Sequence, residues 1–229
     1  MSLANWIPPP LPPRTSLKGR YATLEPLSKD HLAGLREAQV EDTAHAMWAY
    51  LPVGPFSSNA EYGLWVDQNR ILHDPLHFSV RMKDARLGGT LSLMRINPSA
   101  GTIETGWLTF APRLQRTREA TEAVYLLMKW SFEAGYRRFE WKCNAENLAS
   151  RRAAERFGFS YEGVFRQAGV VKGQNRDTAW FAAIDSEWPA LRHAYEVWLD
   201  PDNFDDKSQQ KQSLADLTRA ILVTRDPAL

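Results

Sequence analysis

The order of predicted strands and helices limits what this chain can fold into. Strand-like stretches of apolar and β-branched residues occupy 77–82, 87–96, 102–110 and 137–143. Short polar turns separate the first three stretches, which is typical of an antiparallel meander. Apolar residues then recur at helical spacing from Ala120 until Gly135, between the third stretch and the fourth. A meander that continues into a strand, a helix and a strand predicts a mixed α/β fold.

Capping residues and periodicity predict the remaining elements. They are a strand at 20–27, a helix from the cap Ser28 to about residue 39, a helix capped by Asn59 to about residue 73, a helix capped by Asn147 to residue 157, a hairpin at 161–172 and 177–184, and a helix at 186–199. We therefore expect one domain over 20–199.

Both ends of the chain are predicted to lie outside this domain. Residues 1–19 form a proline-rich arm, which either packs as an extension or binds an aromatic groove of a partner. The segment 200–212 is polar and predicts a linker. Apolar residues over 214–222 then predict a last amphipathic helix. This extension either caps the core or docks on a second subunit in a homodimer.

Composition excludes several classes of protein. Lysine and arginine number 28 against 27 acidic residues, so the bulk charge favours neither nucleic acid nor an anionic membrane. Cys143 is the only cysteine, which rules out an intramolecular disulfide and suits the cytoplasm. No apolar run is long enough to span a membrane, no glycine-rich nucleotide motif occurs, and the histidines show no metal-ligand spacing. Any anion must be bound by a local site.

The segment 102–122 carries the clearest chemical signal. A strand ends at Pro112, and a polar loop around Arg116 and Arg118 leads directly into a helix. Backbone amides at a helix N-terminus bind anions, and the three arginines of the loop, Arg113 included, suit a pyrophosphate. The alternative is that these arginines are solvated loop charges.

Two segments, in the expected order, resemble the GNAT superfamily of N-acetyltransferases and its ribosomal-protein N-terminal acetyltransferase branch. The family has a strand, a Gln-x-x-Gly-x-Gly/Ala loop and a helix that often opens with Thr-Glu-Ala, and this chain has Gln-Arg-Thr-Arg-Glu-Ala-Thr-Glu-Ala over 115–123. The stretch 142–159 is similar to the family's strand, Asn-x-x-Ser/Ala helix and Gly-Phe ending. The resemblance covers about residues 20–199.

The resemblance implies a central twisted, mixed and mostly antiparallel sheet flanked by helices, and it implies binding of acetyl-CoA. The residues that it assigns to the coenzyme are Leu108, Thr109, Phe110, Gln115, Arg116, Thr117, Arg118, Glu119, Ala120, Thr121 and Asn147. Many relatives have small residues at positions 116 and 118. Arginine there adds charge and bulk, while the main-chain amides remain available to a phosphate.

The same resemblance assigns the catalytic residues. Glu104 matches a strand carboxylate that takes a proton from the amine through a water, and its alternative role is that of an ion-pair partner. At the position of Ala154, many relatives have a tyrosine that acts as the acid for the departing thiolate. Ser150 is then the substitute that assists the departing thiolate, unless it only satisfies backbone amides at the helix start. An acyl-enzyme on Cys143 is disfavoured against direct transfer in a ternary complex.

The acceptor is predicted only as an amine, either a protein N-terminus or a small molecule. The segments 48–56 and 166–176 are expected to form its walls, and Trp48 and Trp65 either line a pocket or fill the core. A second function stays open: the missing tyrosine also fits a non-catalytic acyl-CoA-binding sensor or interaction module.

Overall fold

An eight-stranded sheet forms the centre of the protein in the computed structural model, which describes residues 3–229. The strands are β1 Leu17–Lys18, β2 Ala22–Pro26, β3 Leu76–Met82, β4 Leu87–Asn97, β5 Thr102–Phe110, β6 Arg138–Asn144, β7 Ser160–Val171 and β8 Gln174–Ile184. The helices are α1 Leu32–Gln39, α2 Asn59–Asn69, α3 Arg118–Glu133, α4 Leu148–Arg156, α5 Trp188–Leu199 and α6 Leu214–Arg219. The predicted mixed α/β fold with a mostly antiparallel sheet is confirmed.

The strands follow the order β1-β2-β3-β4-β5-β6-β8-β7, and β5 and β6 are its parallel neighbours. Their pairing runs from Thr102 opposite Arg138 to Thr105 opposite Trp141 and stops there. Trp107 then adopts a left-handed backbone (φ 53°) where the register between β4 and β5 shifts. Such a bulge bends a strand. The two strands therefore separate beyond Thr105 and leave one edge of β5 open.

Alternation along β3 shows which helices cover each face of the sheet. Phe78 and Val80 belong to the large core that includes Val124 of α3. His77 points the other way, where its ring lies 5.3 Å from that of Trp65 in α2. Successive side chains of a strand point to opposite faces. Helix α3 thus covers one face and α2 the other.

Glu122 joins α3 to the edge of the sheet. Its carboxylate accepts hydrogen bonds from the backbone N–H groups of Arg20 (2.8 Å), Tyr21 (2.6 Å) and Ala22 (2.7 Å). A Cβ atom at Gly19 would lie 2.3 Å from that carboxylate, so the approach of the two segments requires glycine. This anchor fixes the helix whose N-terminus forms part of the site.

Both boundaries of α2 differ from the prediction. Ser58, not Asn59, caps α2, because Ser58 has the extended backbone that a cap requires (φ −142°) and its Oγ accepts from the Glu61 N–H. Helix α2 ends at Asn69 rather than near residue 73. Just beyond that end, the Arg14 guanidinium donates to the carbonyl oxygens of Arg70 and Leu72. The predicted cap Asn147 is confirmed, and Ser28 caps a short 3₁₀ turn, Lys29–His31, that leads into α1.

The N-terminal segment, predicted as an arm, is packed against the domain over its described residues. Tyr136 Oη donates a hydrogen bond to the Pro10 carbonyl (3.0 Å), and the Arg137 guanidinium lies 5.8 Å from the Trp6 ring centroid. Proline-rich backbone has few donors to satisfy, so this packing needs few hydrogen bonds.

The segment 200–212, predicted as a linker, folds back on α5. Asn203 is buried, and its side chain bonds both the Trp198 carbonyl (3.1 Å) and the backbone of Gln212. The Phe204 ring packs on that of Trp198 at 5.3 Å. The last helix ends at Arg219, before the apolar residues at 221–222 that the prediction included. Residues 223–226 then return to α4 and β7. Over the described residues, no helix has the length and apolarity needed to cross a membrane.

Candidate active site

A cleft of about 1210 Å³ opens where β5 and β6 separate. Its walls are the loop and first turn of α3, helix α4, the segment 46–52, and parts of β8 and of the C-terminal segment. The sequence-predicted site residues that line it are Glu104, Leu108, Phe110, Gln115, Arg116, Thr117, Arg118, Glu119, Ala120, Thr121, Asn147 and Ser150. Thr109 does not: its hydroxyl lies 2.7 Å from that of Thr90 on β4.

The loop before α3 presents unused backbone donors. Thr117 caps the helix, since its Oγ1 accepts from the Ala120 N–H at 3.1 Å. Within residues 3–229, no acceptor bonds the backbone N–H groups of Arg116, Arg118 and Glu119. Arg116 adopts the left-handed backbone (φ 61°) usually taken by glycine. Free N–H groups at the positive end of a helix dipole form an anion-binding site.

Four arginines surround this loop: Arg116, Arg118, Arg152 and Arg156. None has a carboxylate within ion-pair distance in the described part of the chain. The Arg118 guanidinium lies 4.4 Å from the Phe204 ring centroid and 5.1 Å from that of Tyr21. Arg156 donates to Thr121 Oγ1 at 3.1 Å, and burial lowers its pKa from the ordinary value. Guanidinium groups without carboxylate partners are suited to phosphates.

Arg113, which the sequence placed in the same anion loop, has other partners. Its Nη2 lies 2.9 Å from Glu37 Oε1 and its Nε lies 2.7 Å from Glu41 Oε1. The expectation that all three loop arginines serve one anion was therefore wrong for Arg113. It ties the loop to α1 instead.

Glu104 is buried at the point where the strands separate. Lys142 Nζ lies 2.9 Å from Glu104 Oε2, and Arg95 Nη1 lies 3.6 Å from the same oxygen. Burial raises the pKa of Glu104 above its ordinary value, and the neighbouring Lys142 offsets this only in part. The residue is thus both an ion-pair partner and a cleft-lining carboxyl group with raised proton affinity.

Ser150 has a hydroxyl with two neighbours. Trp141 Nε1 donates to Ser150 Oγ at 3.0 Å, so the hydroxyl acts as donor on its other side, where the Cys143 thiol lies within hydrogen-bonding reach. The N-terminus of α4 is capped by Asn147 and not by this hydroxyl, because Asn147 Oδ1 accepts a hydrogen bond from the Ser150 N–H at 3.0 Å. Ala154, at the position of the expected tyrosine, is fully buried and contributes no hydroxyl.

Cys143 lies on β6 and is buried. Burial raises the pKa of its thiol, which disfavours the thiolate that a nucleophile needs. No group of three His, Cys, Asp or Glu side chains able to hold a metal occurs over residues 3–229.

The end of the cleft away from α3 is closed by two segments that touch. Lys172 Nζ, beside the turn of the β7–β8 hairpin, donates to the Trp48 carbonyl at 2.9 Å. Tyr50 Oη reaches the Glu146 carbonyl at 3.4 Å. Trp48 and Trp65 are buried and pack on Phe56, so they fill the core, while Trp107 lines the cleft.

Lys142, Arg152 and Arg156 also line the cleft and were not predicted as site residues, whereas Arg176 ends the segment 166–176 that was expected to form an acceptor wall. The signal for Lys142 is its place one residue after Trp141, which lies opposite Thr105 of β5. Arg152 and Arg156 lie within the segment 142–159 that resembles the family, but the resemblance gave them no role.

The site therefore consists of a splayed parallel strand pair beside a helix-capped anion loop. A family model of the acetyltransferase (GNAT) domain matches residues 22–160. A GCN5-related N-acetyltransferase from Brucella melitensis is 47% identical, with 94% of this chain and 99% of that chain covered and a TM-score of 0.92. The chain belongs to the GNAT acetyltransferase family.

Two further structures are similar. A GNAT-family protein from Chromobacterium violaceum is 41% identical over 83% of this chain and 96% of that chain, with a TM-score of 0.77. An acetyltransferase from Salmonella typhimurium that modifies the N-terminal serine of ribosomal protein L7/L12 shares the fold at 23% identity, covering 74% of this chain and 98% of that chain, with a TM-score of 0.63. No curated protein matches this sequence significantly.

Proposed function

We propose that this acetyltransferase moves the acetyl group of acetyl-CoA directly to a primary amine in a ternary complex. The observation that carries the proposal is that one cleft joins a free anion cradle at α3 to the buried carboxyl group of Glu104. A protein N-terminal α-amine is the first candidate acceptor, as in the Salmonella relative, and a small-molecule amine is the second. The cytoplasm, where acetyl-CoA and free thiols occur together, is the proposed location.

The residues of the cradle fit the chemistry of coenzyme A. The three free N–H groups at 116–119 and the unpaired arginines provide donors and positive charge for a pyrophosphate. The open edge of β5 over 106–110, where Leu108 and Phe110 line the cleft, offers main-chain groups to the amide arm and to the thioester oxygen, whereas Thr109 faces β4. Asn147 contributes its remaining amide donor from the start of α4. Fixed donors of this kind stabilise a developing oxyanion.

Transfer requires a neutral amine, and α-amines have a pKa of about 8. In our proposal Glu104 accepts the ammonium proton, through a water molecule. The amine nitrogen then bonds the thioester carbonyl carbon, and the carbon–sulfur bond breaks. The nitrogen loses one further proton as the amide forms, and the departing thiolate takes up one proton. The Ser150 hydroxyl donates a hydrogen bond to that thiolate, whose conjugate thiol has a pKa of about 8.5. The products are an acetylated amine and coenzyme A.

Release of free thiol from acetyl-CoA tests this function against the non-catalytic alternative. The purified chain is incubated with acetyl-CoA and a panel of amines and N-terminal peptides, and the mass of each acceptor is measured afterwards. An enzyme releases thiol in step with an acetyl mass gain on one acceptor class. Binding of acetyl-CoA without thiol release from any acceptor would support the sensor alternative and contradict transfer.

Replacing Ser150 with alanine is expected to lower kcat by about tenfold, the scale of one lost hydrogen bond to a charged group. The hydroxyl donor is lost, while Asn147 still caps α4. Steady-state thiol release checks this result, with a Kd for coenzyme A that stays within twofold. Unchanged kcat would remove Ser150 from the mechanism.

Replacing Arg118 with glutamine is expected to weaken coenzyme A binding by about tenfold at low salt, because a charge-assisted contact to phosphate is lost. The salt dependence of Kd should also become shallower. Calorimetric titration measures both, and Arg113→Gln is the matched control because that arginine is already paired with Glu37 and Glu41. Equal losses in the two variants would contradict the assignment of the phosphate to Arg118.

A further inference from the structure

Arg176 is a cationic side chain of the cleft that the proposed transfer leaves without a role. It lies on β8, lines the cleft and is half-buried. Its Nε atom is buried without a hydrogen-bond partner, and within residues 3–229 no carboxylate lies at ion-pair distance from its guanidinium. A buried donor without an acceptor is unfavourable, so a bound molecule that supplies a hydrogen-bond acceptor would satisfy Arg176 Nε.

The strand pattern places Arg176 on the same face of the sheet as Glu104. Phe181 on β8 belongs to the core under α3, so Trp180 and Arg176, at odd offsets from it, point to the opposite face. Lys142 Nζ lies 3.7 Å from the Trp180 ring centroid and 2.9 Å from Glu104, which places Glu104 on that face too. The coenzyme loop and α4 lie on the other side. Arg176 therefore faces the acceptor side.

The other charges on this face are already balanced. Lys142 pairs with both Glu104 and Glu140 (2.6 Å to the latter). Arg95 also pairs with Glu104, Glu140 with Arg138, and Arg138 with Glu162, so three cations are matched by three carboxylates. The neighbouring carboxylate, Asp177, accepts from the Gln167 N–H and the Asn175 amide instead. One positive charge, that of Arg176, is left over near the acceptor.

We infer that the amine accepted by this enzyme carries a carboxylate, and that the guanidinium of Arg176 binds it. This inference rests on the proposed function and narrows its substrate class. A guanidinium pairs with a carboxylate through two parallel N–H···O bonds, which fixes orientation as well as charge. One unpaired cation matches the single charge of a carboxylate better than the nearly double charge of a phosphate monoester.

Such a carboxylate has two sources. It is either the α-carboxylate of a free amino acid or an acidic side chain close to a peptide N-terminus. In both cases Arg176 would hold the acceptor from the hairpin side while its amine faces Glu104. Arg176 is then a specificity-determining residue.

Matched acceptor pairs separate these sources. Serine and serinamide differ only in the α-carboxylate, and the dipeptide amides Ser-Asp and Ser-Asn differ only in the side-chain charge. We would measure kcat and KM with acetyl-CoA for the wild type, Arg176→Gln, Arg176→Lys and the control Arg166→Gln, an exposed arginine on the same hairpin that does not line the cleft. Coenzyme A Kd and thermal unfolding confirm that each variant is folded.

The wild type is expected to prefer the anionic member of one pair by about tenfold to a hundredfold in kcat/KM, the scale of a charge-assisted pair. Arg176→Gln should abolish that preference mainly through KM, Arg176→Lys should restore part of it, and Arg166→Gln should retain it. Equal use of both members of both pairs by the wild type would overturn the inference and leave the proposed function intact. A preference that survives in Arg176→Gln would overturn it as well. If no acceptor releases thiol, the proposed function fails and the inference fails with it.

Discussion

Replacing Glu104 with glutamine is expected to lower kcat by about 10²- to 10⁴-fold, the usual contribution of a positioned general base. Glutamine keeps the size of the side chain and cannot take a proton. Because Glu104 points to the face of the sheet opposite the one that α3 covers, the Kd for coenzyme A should change by less than about twofold. Stopped-flow thiol release and calorimetric titration measure the two quantities.

Glu140→Gln is the matched control for this substitution. Glu140 contacts the same Lys142 but does not line the cleft, so its variant tests for a purely electrostatic disturbance. We expect Glu140→Gln to retain most of the wild-type kcat. Comparable losses in the two variants, or near-normal kcat in Glu104→Gln, would show that Glu104 serves only as an ion-pair partner.

The pH dependence of the wild type carries a second signature of Glu104. The group must be deprotonated to accept a proton, so activity rises as pH passes upward through its pKa. Burial raises that pKa, and the acidic limb of kcat/KM should therefore lie above the ordinary glutamate value of about 4.3. In Glu104→Gln the acidic limb of the kcat/KM profile should disappear, while the change in kcat/KM near pH 8 that reports titration of the acceptor amine should remain.

Replacing Asp226 with alanine is expected to reduce the free energy of unfolding by about 3–5 kcal/mol, as for other broken buried ion pairs. Asp226 accepts two 2.6 Å hydrogen bonds from Arg151 of α4, and its side chain is fully buried. Alanine leaves the Arg151 guanidinium in a buried position with only the Ala145 carbonyl as acceptor. Urea denaturation followed by circular dichroism measures the loss.

Two further variants make that test specific. Glu133→Ala removes an exposed carboxylate from a surface pair with Arg192 and should cost no more than about 1 kcal/mol. Arg151→Met combined with Asp226→Ala removes both charges and should recover part of the loss. A cost below about 1 kcal/mol for Asp226→Ala would contradict the view that the C-terminal segment clamps the helix that carries Ser150.

The parts of the fold that were predictable depend on local patterns. The three strands before α3 and the cap Asn147 follow from alternation, turns and capping chemistry within a few residues. The α3 loop was found in the same way, because a helix N-terminus after a strand is a local signal.

The remaining features depend on contacts between distant segments. The Asn203 side chain bonds the backbone of Trp198 and of Gln212, which holds the polar segment 200–212 against α5. The Arg113 guanidinium pairs with Glu37 and Glu41 instead of binding an anion in the loop. The segment 166–176 was expected to form an acceptor wall, but the face of the sheet on which Arg176 lies follows from the pairing of β8 with β6. Periodicity along the chain does not contain such information, so these residues became visible only in three dimensions.

Calorimetric titration with acetyl-CoA and with coenzyme A at two salt concentrations tests most directly that this cleft is an acyl-CoA site whose phosphates lie on the α3 loop. Binding with one-to-one stoichiometry and a micromolar Kd that weakens at the higher salt concentration is the predicted result. No binding of either compound at either salt concentration would contradict the account and would leave this chain with the family's fold but without its co-substrate.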